Sequence, residues 1–124
     1  MPSRGGAVLV VDDDPGILAT VADALDLEGY RVRTATNGRE ALEVLETTTP
    51  SVILLDIRMP VLDGPSFVKR MRERGTTSRI LVMTAAENAK RWAEDVGADD
   101  FLAKPFDLDD LLAAVARLHR ADDA

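Results

Sequence analysis

The chain predicts an α/β fold, a doubly wound parallel sheet of five strands with helices on both faces. Three observations carry this. Val52–Leu55 is an unbroken apolar run, too short for a helix, of the kind that forms a strand buried on both faces. Five such strand-like runs alternate strictly with five stretches of helical periodicity, which implies parallel strands joined by right-handed crossovers. Three of the runs end in polar residues: Val8–Val11 before Asp12-Asp13-Asp14, Val52–Leu55 before Asp56, and Ile80–Met83 before Thr84. In open α/β sheets the C-terminal ends of the strands are where ligands bind.

The first strand is Ala7 to Val11. Pro15 then suits the first turn of a helix, where its missing N–H costs little. Ile17, Leu18, Val21, Ala22, Leu25 and Leu27 give that helix an apolar stripe, and Gly29 caps it. Tyr30 to Ala35 alternates like a strand with one wetter face. Asn37-Gly38 reads as a turn, and Ala41, Leu42, Val44 and Leu45 mark a short second helix that stops before Pro50. After the central strand, Asp63-Gly64 lies in a loop, and a third helix runs from about Pro65 to Arg74 with Phe67, Val68 and Met71 inward and Gly75 as its end. Ile80 to Met83 is the fourth strand. Ala89, Trp92, Ala93 and Val96 line one helical face closed by Gly97. Phe101-Leu102-Ala103 is the fifth strand. Leu108, Leu111, Leu112, Val115 and Leu118 mark the last helix, with Asp109 and Asp110 in the first turn, where the helix dipole favours them. Ala121 to Ala124 reads as a frayed end.

The bulk numbers bound the function. A chain of 124 residues reads as one domain, residues 1–124 with a core of about 7–119. A formal charge of −7 argues against direct nucleic-acid binding, which needs a basic surface. No cysteine means no disulfide and no thiolate metal site. The opening Met1–Gly6 is polar with no apolar run behind it, and no stretch approaches the roughly 20 apolar residues of a membrane span. A cytoplasmic location is the expectation.

In this fold one rim collects Asp12, Asp13, Asp14, Asp56, Thr84 and Lys104. Carboxylates alone would repel one another. A hard divalent cation resolves that, and an all-oxygen donor set suits Mg²⁺. A lysine and a threonine aimed at the same point suit the oxygens of a phosphoryl group, and one carboxylate must then be the nucleophile that receives it.

Four motifs extend this reading: Val11-Asp12-Asp13; Leu55-Asp56-Ile57-Arg58-Met59-Pro60 with Asp63-Gly64; Met83-Thr84-Ala85; and Gly97-Ala98-Asp99-Asp100-Phe101-Leu102-Ala103-Lys104-Pro105-Phe106. Each alone is weak. All four in order, each at a strand end, closely resemble the receiver domain of two-component response regulators, the CheY-like superfamily. That resemblance implies a flavodoxin-like sheet of strand order 2-1-3-4-5. It implies that Asp56 is the phosphoacceptor, served by a sensor histidine kinase or a histidine phosphotransfer protein. Asp13 and Asp56 would hold Mg²⁺ directly, Asp12 mainly through water, and the backbone carbonyl of Arg58 would complete the set. Lys104 would pair with the phosphoryl oxygens across a cis Lys104-Pro105 bond. Thr84 would swing to hydrogen-bond them, and Phe101 would turn into the space vacated. The output would be read on the last helix–strand–helix face, roughly residues 88–119, by a downstream protein or a further domain. Such a protein catalyses only its own phosphorylation and dephosphorylation, and is a monomer or a phosphorylation-dependent dimer.

Some residues depart from the family pattern. Phe101 stands where many relatives have tyrosine, so any hydroxyl contact with a partner is lost. The segment from Thr84 to Phe101 is about two residues shorter than in the chemotaxis and transcription-factor receivers, so the fourth helix or its leading loop is altered. Asp110-Leu111-Leu112-Ala113 is followed by Ala114 rather than arginine, which weakens an ion-paired dimer of the transcription-factor kind. The motifs leave no stretch for an output domain, so a stand-alone regulator and a receiver from a longer protein both stay open. The other residues read plainly: Asp14 as a helix cap, Trp92 as partly buried packing, His119 as a surface histidine, and Arg72 to Arg74 as a solvated face. Two competing functions remain. Val8 to Asp14 resembles the start of haloacid-dehalogenase-like phosphohydrolases, with Asp12 as nucleophile and Asp14 as acid/base, but this explains neither Asp56 nor Lys104. A receiver-like binding module that takes no phosphate would not need the intact acidic pair.

Overall fold

The computed structural model describes residues 6–58 and 61–123, with only the backbone described at 86 and 120–123. The elements are β1 (Ala7–Val11), α1 (Pro15–Leu27), β2 (Arg31–Ala35), α2 (Gly38–Leu45), β3 (Pro50–Asp56), α3 (Gly64–Glu73), β4 (Arg79–Ala85), α4 (Ala89–Val96), β5 (Asp100–Lys104) and α5 (Leu108–Asp123). A 3₁₀ turn, Ala86–Asn88, leads into α4. The strands form one parallel sheet in the order β2-β1-β3-β4-β5, as expected.

Strand periodicity divides the interior in two. Leu9, Val11, Ile53, Leu55, Ile80 and Val82 point to one face and pack with Leu42, Phe67, Val68, Met71 and Ala93 of α2, α3 and α4. Val8, Val10, Val52, Leu54, Leu81 and Met83 point to the other and pack with Val21, Leu25, Leu111, Val115 and Leu118 of α1 and α5. Successive side chains of a strand alternate faces, so the near-continuous apolar runs of β1, β3 and β4 fill both layers.

The helix ends follow the local sequence. Asp14 caps α1, with its carboxylate accepting from the N–H groups of Gly16 at 2.9 Å and Ile17 at 3.2 Å, and Pro15 occupies the first turn. Asn37 and Asp63 cap α2 and α3 in the same way, so Asn37-Gly38 and Asp63-Gly64 are helix starts rather than free turns. Gly29, Gly75 and Gly97 lie just past helix ends at φ of 92°, 86° and 70°.

Four expectations change. Leu27 is 84% exposed: Val21 and Leu25 keep the helical spacing, whereas Leu27 falls on the far side of the helix. Pro50 lies in no gap before the strand but opens β3, a position where a missing N–H is tolerated. The helix at the chain's end continues through Asp123 instead of fraying. His119 is buried at 5% exposure, not on the surface. Its Nδ1 lies 2.9 Å from Ser51 Oγ, Ser51 Oγ–H donates to the Ala7 carbonyl at 3.3 Å, and the Tyr30 ring meets the imidazole edge-on with centroids 5.4 Å apart.

Candidate functional site

Register alone brings the site residues to one rim. Val11 lies opposite Leu55, so Asp12 follows beside Asp56. Asp56 lies opposite Met83, which puts Thr84 one step further along, and Ala85 lies opposite Lys104. The carboxylate oxygens of Asp12, Asp13 and Asp56 all approach within 4.8 Å of one another. Asp12 is fully buried, Asp56 nearly so, and Asp13 is exposed.

Each buried carboxylate is held by a backbone N–H and by the same ammonium. Asp12 Oδ1 accepts from the Asp14 N–H at 2.9 Å and Oδ2 accepts from Lys104 Nζ at 2.9 Å. Asp56 Oδ1 accepts from the Arg58 N–H at 3.2 Å, and its Oδ2 lies 3.6 Å from Lys104 Nζ. The Lys104-Pro105 bond is cis. Burial, followed by the charge of Asp12, pushes the Asp56 carboxyl up to about 6, with Lys104 and the Arg58 N–H pulling the other way. Burial works against the Lys104 ammonium, but the hydrogen bond it donates to Asp12 and the charges of Asp56 and Asp12 hold its pKa above the ordinary lysine range.

The loop that leaves Asp56 is anchored at its far end. The Gly64 N–H donates to the Ile57 carbonyl at 3.2 Å, and a Cβ at Gly64 would lie 2.9 Å from Ile57 Cα. Only glycine permits that approach. Met59-Pro60 of the motif lies outside the described residues. In the same loop Val61 is 68% exposed with φ of 72°.

Asp14 is used as the cap of α1, so its carboxylate faces the helix rather than the acidic cluster. Thr84 is 2% exposed at the rim, whereas Phe101 is 38% exposed and so lies outward. Trp92 is half-buried against the core shared by α2, α3 and α4, as expected. The stretch after Thr84 forms the 3₁₀ turn Ala86–Asn88 and an α4 of 8 residues.

One feature was not legible in the motifs. A groove of about 660 Å³ opens onto Asp56, Thr84 and Lys104, walled by Gly16, Ile17 and Thr20 of α1 and by Pro105, Phe106 and Leu108 beyond β5. It forms a largely apolar approach to the Asp56 carboxylate. The signal for it lay in the unexplained apolar residues around Lys104-Pro105.

The donor chemistry fits a hard divalent cation. Three carboxylates converge with one lysine to offset them, and every available donor is oxygen. No helix among the described residues is long and apolar enough to cross a membrane.

The family model for the response regulator receiver domain matches residues 8–116. Response regulator MprA of Mycolicibacterium vanbaalenii is 40% identical over 122 residues, covering 97% of this chain and 52% of that protein. MprA of Mycobacterium leprae is 39% identical, over 94% of this chain and 54% of its own. The chain thus spans about half the length of the curated relatives it matches. Among solved structures, the receiver domain of the Francisella response regulator 1452 superposes with a TM-score of 0.85 at 32% identity, covering 94% of this chain and 98% of its own. Chemotaxis response regulator CheY4 of Vibrio cholerae gives 0.82 at 37%, covering 91% and 98%.

Proposed function

This chain belongs to the response regulator receiver family of two-component systems, and from that premise we propose that it accepts a phosphoryl group on Asp56 and converts the added charge into a change on its α4–β5–α5 face. The observation that carries the reading is the Asp56 carboxylate itself. It is 5% exposed, sits at the end of β3, and is flanked by two carboxylates and an ammonium at 3.6 Å.

In the proposed reaction an Asp56 oxygen forms a bond to phosphorus while the phosphorus–nitrogen bond of a donor phosphohistidine breaks, leaving its electron pair on the imidazole. Transfer of this kind depends on positioning and on charge aimed at the phosphoryl oxygens. Lys104 supplies one such charge, moving from the carboxylates to the incoming oxygens. Thr84 turns its hydroxyl to the same group, and Phe101 moves inward from its exposed position. Mg²⁺, held by Asp12, Asp13, Asp56 and the Arg58 carbonyl, supplies the remaining positive charge when bound. The apolar groove admits the donor, a sensor histidine kinase or a phosphotransfer protein, and the docked donor displaces water from the transfer. The product is a switch that acts on a downstream partner or on a domain linked to this chain, not a catalyst for other substrates.

A phosphohydrolase centred on Asp12 finds less support. Asp12 is engaged by Lys104 at 2.9 Å, and Asp14, its required acid/base, caps α1.

The test is incubation with acetyl phosphate and Mg²⁺, read by intact mass, on wild type and Asp56→Asn. A phosphate-sized gain that needs Mg²⁺ and is lost in the variant is expected. A gain that persists in Asp56→Asn moves the nucleophile to Asp12.

A further inference from the structure

We propose that the Arg58 side chain couples Asp56 to α4 by moving between two grooves as the charge on Asp56 changes. The inference rests on the receiver reading above and adds a moving part to it.

The geometry places Arg58 at a boundary. It follows Asp56 by two residues, and its backbone N–H donates to Asp56 Oδ1 at 3.2 Å, so its main chain is tied to the acceptor. The residue as a whole is exposed. It forms part of the wall of the groove that holds Asp56, Thr84 and Lys104. It also forms part of the wall of a second groove, of about 240 Å³, whose other walls are Asn88, Arg91, Trp92 and Asp95. The first groove is the reacting site. The second lies on the 3₁₀ turn and α4.

Charge decides where the guanidinium rests. Lys104 is already engaged by Asp12 and Asp56, and Arg91 is loosely paired with Asp95 at 3.9 Å. Among the described residues Arg58 makes no ion pair, so it is the uncommitted cation shared by the two grooves. The α4 groove offers it one carboxylate beside a like charge. In the Asp56 groove Lys104 opposes only one of three carboxylate charges, and a bound divalent cation offsets the other two. With the cation bound the two positions are therefore closely matched. A phosphoryl group on Asp56 adds negative charge on one side only, within reach of a long, planar donor that pairs well with phosphoryl oxygens. The guanidinium moves to it and leaves the Trp92 groove with one wall withdrawn. A ligand shifts such an equilibrium only through a difference in its interactions with the two states, and here that difference is the new charge.

Trp92 is the chain's single tryptophan, which makes the movement observable. Beryllofluoride with Mg²⁺, standing in for the phosphoryl group, is added to wild type, Arg58→Gln and Arg58→Lys. Indole emission is recorded, and bound beryllofluoride is measured separately by ¹⁹F NMR, so that each emission change is scaled to occupancy. The expected result is a change in wild type, a change at least threefold smaller in Arg58→Gln, and partial recovery in Arg58→Lys. Equal scaled changes in wild type and Arg58→Gln overturn the coupling, as does a wild type that binds beryllofluoride with no change in emission. A wild type that binds no beryllofluoride removes the receiver reading, and the coupling with it.

Discussion

The Lys104 ammonium stands nearer to Asp12, at 2.9 Å, than to Asp56, at 3.6 Å. Before any reaction, then, the lysine serves chiefly to make a buried carboxylate tolerable. Removing one partner of a largely buried ion pair leaves the other uncompensated, which is costly. Lys104→Met is expected to destabilise the metal-free protein by about 2–3 kcal/mol, read by urea denaturation in EDTA. Mg²⁺ should recover more stability in the variant than in wild type, because the cation then opposes a larger repulsion. An unchanged midpoint in EDTA would contradict the arrangement.

The raised Asp56 carboxyl predicts a pH dependence with a definite sign. In the unfolded chain it titrates near 3.8, and in the fold near 6. The folded state therefore holds this proton more readily. The contribution is fully present below about pH 4 and is lost as pH rises through 6. Metal-free wild type should lose stability between pH 4 and 7 relative to Asp56→Asn, by an amount on the order of 2 kcal/mol. Thermal melts of both proteins in EDTA across that range check it, and parallel curves would show that Asp56 is not strained by its neighbours.

Val61 combines a side chain 68% exposed with a φ of 72°, a region that β-branched residues rarely enter. Asparagine tolerates such a backbone better and gives up little packing there. Val61→Asn should stabilise the protein by about 1 kcal/mol. Equilibrium denaturation is the measurement, and a loss of stability would mean that the valine side chain is doing something the exposed surface does not show.

His119 behaves as a core residue, so its removal should cost what core residues cost. His119→Ala is expected to lower stability by about 2–3 kcal/mol, against changes within about 0.5 kcal/mol at surface positions. Arg117→Ala, at an exposed residue two positions earlier that pairs with Asp100, is the comparison and should cost no more than about 1 kcal/mol.

The parts of the site that depend on strand ends were readable from the chain, and those that depend on long-range packing were not. Asp12, Asp56, Thr84 and Lys104 each follow an apolar run, so alternation of strands and helices was enough to bring them to one rim. How Lys104 divides itself between two carboxylates depends on distances that no pattern encodes. His119 reads as a surface histidine when taken alone, yet Leu111, Val115 and His119 keep a spacing of four, and that periodicity carried the correct signal. Leu27 failed in the opposite direction, an apolar residue taken for core although two positions past Leu25 is the far side of a helix. Asp99 was read only as part of a motif. In the structure it ties the approach to β5 to the start of β4, its N–H donating to the Ile80 carbonyl and its carboxylate accepting the Ile80 N–H.

The histidine–serine link at the foot of the sheet also gives α5 a fixed end. The helix is 16 residues long, or about 24 Å, and is fastened near its C-terminus by His119 to Ser51 and by Arg117 to Asp100. Its other end, at Leu108 to Asp110, is exposed and stands beside the groove that opens onto Asp56. Between the two ends Leu111, Ala114 and Val115 are buried in the core, so α5 is clamped along its length and, among the described residues, only its first turn, at the mouth of the groove, stands clear of packing.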